Sequence, residues 1–210
     1  ARPDGAERPP SLDALAGRLA GAWAVGEVRT VEQDAAFGVR QLVDIALRAL
    51  SPGINDTTTA VSCVDYLGAL LLRLADRRIE TPVRTAPPDG DAARGASRRP
   101  SKGDDADDRA VRVLARGPTF ERLLGLACDE IRQSADGNAS VLHRLLGMLG
   151  DVAAAARDPG RRRVVVEQLA LVDEVAGRTV PAPADRARLA AAYAEALARA
   201  SAEEREPVRG

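Results

Sequence analysis

The sequence predicts a mainly α-helical protein, a bundle of about six or seven helices with one small β-hairpin. Apolar residues recur three and four positions apart over most of the 210 residues, and helix-capping residues precede these stretches. Strand-like alternation is confined to residues 82–84 and 111–114. We therefore expect one helical domain over residues 11–203, after a linker or disordered segment at 1–10 and before a disordered tail at 204–210.

The predicted helices follow one another with short connections. Each begins at a capping residue or at a proline suited to a first helical turn, and each carries an apolar stripe. Proline and glycine end the helix that precedes Asn55. The expected helices cover residues 12–25, 37–50 and 57–77, then start at Thr119, after Asn138, at Asp158 and after residue 184.

The stretch from Phe37 to Leu50 is almost continuously apolar. Its polar residues fall three or four apart, so they share one narrow strip of a helix. A surface helix would show a broad polar face instead. We therefore expect this helix to be the central rod of the bundle, surrounded on most sides.

Residues 86–109 interrupt the helical pattern between the two short strands. They are rich in Pro, Gly, Asp, Arg and Ser, with a basic half followed by an acidic half. Such a segment cannot bury enough apolar surface to order itself. We expect a β-hairpin that carries this stretch as a disordered insertion.

Composition excludes several classes of function. The net charge is -1 and aromatic residues make up 2%, which argues against nucleic-acid binding. Cys63 and Cys128 form no CxxC pair and predict reduced, packed thiols. No apolar run approaches the length needed to cross a bilayer, so we expect a soluble chain.

The polar strip of the central helix is the first candidate site. Arg40, Asp44 and Arg48 stand four residues apart, so two guanidinium groups can clamp one carboxylate. This pattern is typical of a structural ion-pair ladder. The alternative is a cleft in which Arg40 or Arg48 binds an anion.

The Asn55-Asp56 corner, followed by Thr58 and Thr59, is the second candidate site. Its oxygens suit magnesium or calcium, but they equally suit a simple helix cap. Residues before the central helix can fold back and complete a polar pocket of Arg29, Asp34, Gln41, Asp44, Asn55 and Asp56. We expect no cofactor, no metal and no catalytic set; the candidate ligand-binding residues are Arg29, Gln33, Asp34, Arg40, Gln41, Asp44, Asn55, Asp56 and Thr59.

Two further features have ordinary explanations. His143, the only histidine, lies nearly opposite the apolar stripe of its helix, so we expect it in solvent. Arg161-Arg162-Arg163 stands in a first helical turn. We expect a solvated basic turn there, with contact to an anionic lipid or a phosphate as the alternative.

Several short motifs together resemble one known family. They are Arg29-Thr30, Gln33-Asp34, Phe37-Gly38, the run Arg40–Pro52, Ile54-Asn55-Asp56 with Thr59-Ala60, and the weaker Gly117–Leu123. The combination resembles the uncharacterised bacterial membrane-protein family called domain of unknown function 2254 (DUF2254). Thr57 departs from the family pattern, which has proline at this position.

The resemblance implies that the chain is the soluble C-terminal part of a longer protein whose N-terminal part spans the cell inner membrane. Ala1, in place of an initiating methionine, also favours a fragment. We expect a non-enzymatic regulatory or assembly domain on the cytoplasmic side, with the membrane-spanning part as its partner and a homo-oligomer as a further option. The alternative is a carboxylate-based, metal-assisted enzyme, or a small-ligand or anion sensor, centred on Asp44 and Asn55-Asp56.

Overall fold

The chain divides into two compact units, residues 1–29 with 81–117 and residues 30–80 with 118–210. A computed structural model describes residues 11–13, 16–17, 34–77, 79 and 118–202, and the backbone of 83–85 and 111–114.

In the first unit, strand β1 (Val83–Thr85) pairs antiparallel with strand β2 (Val111–Leu114). The predicted terminal segments 1–10 and 204–210, the insertion 86–109 and most of the predicted helix 12–25 lie outside the described residues.

The described part of the second unit contains six helices, and the prediction of a mainly helical fold is confirmed. The extent of the hairpin and the number of helices in the whole chain stay predictions. The helices are α1 (Ala35–Ala49), α2 (Thr57–Ala75), α3 (Phe120–Ser134), α4 (Ala139–Ala155), α5 (Pro159–Thr179) and α6 (Pro183–Ala202).

Side-chain caps fix the starts of the first five of these helices. In each case a carboxylate, amide or hydroxyl oxygen accepts a hydrogen bond from a backbone N–H of the first turn, which would otherwise have no partner in the helix. The capping residues are Asp34, Asp56, Thr119, Asn138 and Asp158.

Two pairs of helices run parallel and in step. The Asn138 amide at the start of α4 donates to the Thr57 hydroxyl at the start of α2 at 2.8 Å, and Arg157 after α4 meets Asp76 after α2 at 3.6 Å. Between these ends, Gly68 lies against the Met148 side chain. Helices α3 and α5 form the second parallel pair, also in step. In the first pair, the Thr57 hydroxyl, at the position where the resemblance implies a proline, joins the N-terminal ends of α2 and α4.

Helix α4, not α1, is the centre of the bundle. It packs against α2, α3, α5 and α6, whereas α1 packs against α2 and α3. Helix α1 exposes Gln41, Ile45 and Arg48 to solvent. The prediction that residues 37–50 form a central rod is therefore wrong. An apolar composition without a broad polar face does not by itself require burial on every side.

Helix α2 corrects a second prediction. Its 19 residues are long and apolar enough to cross a membrane by length and composition. Its two charged residues, Asp65 and Arg73, break the apolar run without lowering its mean hydropathy below that of a spanning segment. The expectation that no stretch reaches this length is wrong. In this fold, 39% of the stretch is buried against other helices.

Gly150 allows α4 and α6 to approach closely. A Cβ atom at this position would lie 2.9 Å from Ala196 Cβ and 3.0 Å from Ala196 Cα. Both distances are shorter than a normal carbon–carbon contact. The central helix therefore needs glycine where α6 crosses it.

Candidate functional site

Arg40 joins α1 to α3. Its guanidinium donates to both carboxylate oxygens of Glu130, one of them at 3.2 Å, and it pairs with Asp44 at 2.8 Å. The hydrogen bonds to Glu130 and then to Asp44 raise the pKa of Arg40. All three side chains are partly exposed, which limits the strength of the pairs.

The predicted double clamp on Asp44 does not form. Arg48 is exposed and makes no ion pair within the described part of the chain, and Gln41 is exposed as well. Asp44 keeps a single arginine partner. The second carboxylate on Arg40 comes from Glu130, ninety residues further along the chain, which helical spacing within α1 cannot indicate.

The Asn55-Asp56 corner is a helix cap. The Asp56 carboxylate accepts from the Thr59 backbone N–H at 3.0 Å and from the Thr59 hydroxyl at 2.6 Å. These hydrogen bonds stabilise the ionised form and lower the pKa of Asp56. Asn55 has φ 47°, a left-handed conformation that asparagine tolerates better than most residues. The bond from Thr59 Oγ1 uses one of the oxygens that a cation would need.

The predicted polar pocket is not assembled. Asp34 caps the start of α1, where it accepts from Ala36 N–H at 2.9 Å. The Asp56 backbone N–H donates to the Ala49 carbonyl at 2.7 Å, at the other end of α1. A helix of this length spans about 22 Å, so the two carboxylates lie far apart. Gln41 and Asp44 stand between them on α1, and Arg29 and Gln33 lie outside the described residues.

Two carboxylates, those of Asp44 and Glu130, converge on Arg40 and are paired with its guanidinium. In the described part of the chain, no three His, Cys, Asp or Glu side chains lie close enough to hold one metal ion. Four shallow depressions on this surface contain at most one carboxylate each. None of these four depressions therefore brings together the two carboxylates that the carboxylate-based alternative needs.

The predictions for His143 and the cysteines are confirmed. His143 is exposed. Cys63 and Cys128 are free and buried. Burial, with a smaller contribution from Asp129, raises the pKa of Cys128 to about 12, so its thiol stays protonated and unreactive at neutral pH.

The arginine triplet at the start of α5 is solvated only at Arg163, so the predicted solvated basic turn is wrong for Arg161 and Arg162, and the alternative of an anionic-lipid or phosphate contact stays a prediction. Arg161 donates to the carbonyl groups of Leu74 and Ala75 at 3.0 Å and of Arg77 at 2.8 Å, and its guanidinium lies 5.3 Å from the centre of the Phe120 ring.

Arg162 in turn donates to the Ala156 carbonyl at 2.9 Å, while Arg163 is exposed beside Glu167. Two of the three arginines therefore close helix ends. The one sequence signal for this role is the end of α2, which lacks the glycine that commonly lets a helix satisfy its last carbonyl groups with its own backbone N–H groups.

A solvent-exposed apolar face lies on the hairpin that α1 and α2 form. Leu42, Tyr66, Ala69, Leu70 and Arg73 line a shallow groove of about 370 Å³ between the two helices, and Ile45 is 45% exposed one turn from Leu42. We call Leu42, Ile45, Tyr66, Ala69 and Leu70 the hairpin face. We did not predict this face, although Tyr66, Leu70 and Arg73 follow the helical spacing that indicates one side of a helix.

One family model matches part of the chain. Residues 4–94 match DUF2254, which is described as a predicted membrane protein. The resemblance predicted from the motifs is confirmed over these residues, and the Gly117–Leu123 motif lies outside the match.

Uncharacterized proteins from Mycobacterium bovis and from two strains of Mycobacterium tuberculosis are similar to the chain. Each is 37% identical over 174 residues, which cover 82% of this chain and 29% of the relative. The chain thus spans less than a third of the length of these relatives. No solved structure matches the chain.

Proposed function

We propose that this chain is a soluble regulatory or assembly domain of a bacterial integral membrane protein, held on the cytoplasmic side of the inner membrane and without catalytic activity. The proposed domain is a bundle of six or seven helices that carries the β1–β2 hairpin and the insertion between its strands. Its partners are the membrane-spanning part of the same protein and, where it self-associates, further copies of the domain.

The hairpin face is the observation that carries this proposal. Tyr66 is 64% exposed and Leu70 39% exposed, one turn apart on α2, where both line the groove with Leu42 of α1, and Ile45 is exposed one turn after Leu42. Contiguous apolar groups on a monomer surface mark sites of interaction with a protein or a membrane. A face of this kind suits a domain that works against another surface.

The alternative is a metal-assisted enzyme or an anion sensor centred on Asp44 and Asn55-Asp56. That function needs at least two carboxylates in one cleft. The pairing of Asp44 with Arg40 and the capping role of Asp56 favour the interaction domain instead. If the corner binds magnesium, millimolar magnesium should raise the melting temperature of the wild-type chain and not that of Asp56→Asn. We expect no rise in either protein.

Co-purification tests the proposed function. The mycobacterial relative can be produced as two separate chains, one of which is the tagged segment homologous to residues 11–202, and extracted together in a mild detergent. We expect the two chains to elute together. An unrelated tagged helical bundle serves as the control. Separate elution in detergent, together with an unchanged oligomeric state when the segment is deleted, would contradict the proposal.

A further inference from the structure

The exposed apolar side chains of the described residues are concentrated on the helical hairpin that α1 and α2 form. Besides Leu12 and Leu171, the large ones are Ile45, Ile54, Tyr66, Leu70 and Leu72, which all belong to α1, α2 or the turn between them. Leu72 stands two residues from Leu70, so it projects from a different side of α2. The hairpin therefore has one broad apolar face and a separate exposed leucine outside it.

On the α1–α2 hairpin, the acidic side chains have partners in the described part of the chain, whereas two arginines have no carboxylate partner there. Asp44, Asp65 and Asp76 pair with Arg40, Arg144 and Arg157, and Asp34 and Asp56 cap their own helices. By contrast, Arg48 and Arg73 have no carboxylate partner within the described part of the chain.

The two unpaired arginines border the apolar face. Arg73 lines the groove itself, and Arg48 follows Ile45 by three residues on the exposed side of α1. The hairpin face is thus apolar in the middle and positively charged at its edges.

This charge arrangement decides between two occupants. A second copy docked face to face would bring its own Arg48 and Arg73 towards the same pair, with no free carboxylate on either face to compensate. A surface of anionic headgroups compensates both arginines at once. Apolar and aromatic side chains with arginines at their edge are also the pattern of helices that lie in a membrane interface.

We propose that the hairpin face rests on the anionic lipid surface of the membrane. Tyr66, Leu70 and Ile45 enter the boundary between headgroups and acyl chains, and Arg48 and Arg73 bind the headgroup phosphates. The proposal rests on the proposed function, since that function places the domain beside a membrane. It adds the surface through which the domain touches the bilayer.

Vesicle flotation with the full 210-residue chain tests the proposal. The probes are vesicles of phosphatidylcholine alone and vesicles of phosphatidylcholine and phosphatidylglycerol in equal parts. We expect the chain to float with the anionic vesicles, to remain free of the neutral ones, and to dissociate as salt is added. Equal binding to both kinds of vesicle, or to neither, would overturn the proposal.

Matched variants localise the contact. We expect Arg48→Gln and Arg73→Gln each to weaken binding to anionic vesicles about fivefold, and Tyr66→Ser with Leu70→Ser to weaken it by about tenfold or more. Leu72→Ser, at an equally exposed leucine outside the face, should bind like the wild type. Circular dichroism confirms that each variant is folded. An equal loss in Leu72→Ser, or a dimer that Tyr66→Ser abolishes, would refute the lipid contact.

The outcomes also separate this proposal from the proposed function. Vesicle binding uses the purified chain without any membrane protein, whereas co-elution in detergent uses no bilayer. Vesicle binding without co-elution, together with an unchanged oligomeric state when the segment is deleted, would refute the assembly role alone. Co-elution without vesicle binding would refute the lipid contact alone.

Discussion

Arg161 connects three helices through one side chain. Its guanidinium satisfies carbonyl groups at the end of α2, covers the Phe120 ring of α3, and belongs to the first turn of α5. Positive charge at a helix C-terminus is favourable because the last carbonyls carry partial negative charge. Arg161, a residue of α5, therefore caps the C-terminal end of α2.

Replacement of Arg161 should destabilise the protein. In Arg161→Ala the carbonyls at the end of α2 lose a charged donor, which costs about 2–3 kcal/mol of the free energy of unfolding. Arg161→Lys should recover only part of this loss, because an ammonium can donate to these carbonyls but lacks the planar group that lies over the Phe120 ring. Urea denaturation measures the difference. Arg163→Ala, at the exposed arginine two residues later, should stay within about 0.5 kcal/mol of the wild type, and an equal loss there would contradict the assignment.

Asp56 should make the stability of the protein depend on pH in the acid range. Its pKa is lowered in the folded state by the Thr59 hydroxyl and N–H. The ionised carboxylate therefore stabilises the fold above about pH 4, its ordinary value, and this contribution is lost as the pH falls through the lower folded-state value.

The check is the melting temperature of wild type against Asp56→Asn at pH 7 and at pH 3. Asparagine still caps a helix but does not titrate. The difference between the two proteins should shrink towards pH 3. A difference that stays constant over this range would show that the carboxylate charge contributes nothing at this cap.

At the scale of the helices, the close contact between α4 and α6 depends on the absence of a side chain at Gly150. Gly150→Ala would place a methyl group within 3.0 Å of Ala196 Cα, a backbone atom that cannot move aside like the end of a side chain. We expect a loss of about 1–3 kcal/mol in the free energy of unfolding.

Gly147→Ala is the matched control for Gly150→Ala. It lies in the same helix, where an added Cβ would have no neighbour within 4 Å. It should raise stability by up to about 1 kcal/mol, because alanine favours the helix over glycine. Chemical denaturation of both variants checks the contrast, and a similar change of stability in both would refute the close contact.

The helices and their caps were predictable because they depend on local sequence. The carboxylates of Asp56 and Asp158 and the hydroxyl of Thr119 cap helices that start where the sequence predicted. The partners of Arg40 and Arg161 were not predictable, since Glu130 and the end of α2 lie about 85–90 residues away along the chain. Spacing within one helix carries no information about such contacts.

At the scale of the whole molecule, the wrong choice of central helix has the same origin. Both α1 and α4 are strongly apolar, and which of them lies at the centre of the bundle depends on which of their faces the other helices cover. Helix α1 leaves Ile45 exposed on the hairpin face, while α4 buries Leu142, Leu145 and Leu149 completely. From one sequence, helices can be compared only by their composition, whereas the position of a helix in the bundle depends on which other helices pack against it.

The helical unit should fold without residues 81–117, which belong to the other compact unit. Arg161 contacts both the Arg77 carbonyl and the Phe120 ring, so the parts of the chain on either side of this stretch are close in space. A flexible linker of about six residues can then replace it at little entropic cost. We expect one cooperative thermal transition near that of the full chain. A loss of cooperativity would show that residues 81–117 contribute to the core of the unit.

The parallel register of α2 and α4 sets the order of events during protein synthesis. Thr57 and Asp65 meet partners 81 and 79 residues later in the chain. At cellular synthesis rates the α1–α2 hairpin waits about 4–16 s for α4 to leave the ribosome. Throughout that interval the buried sides of Val64, Leu67 and Leu71 face solvent. Until α4 is synthesised, the nascent hairpin therefore presents apolar surface to which a chaperone can bind.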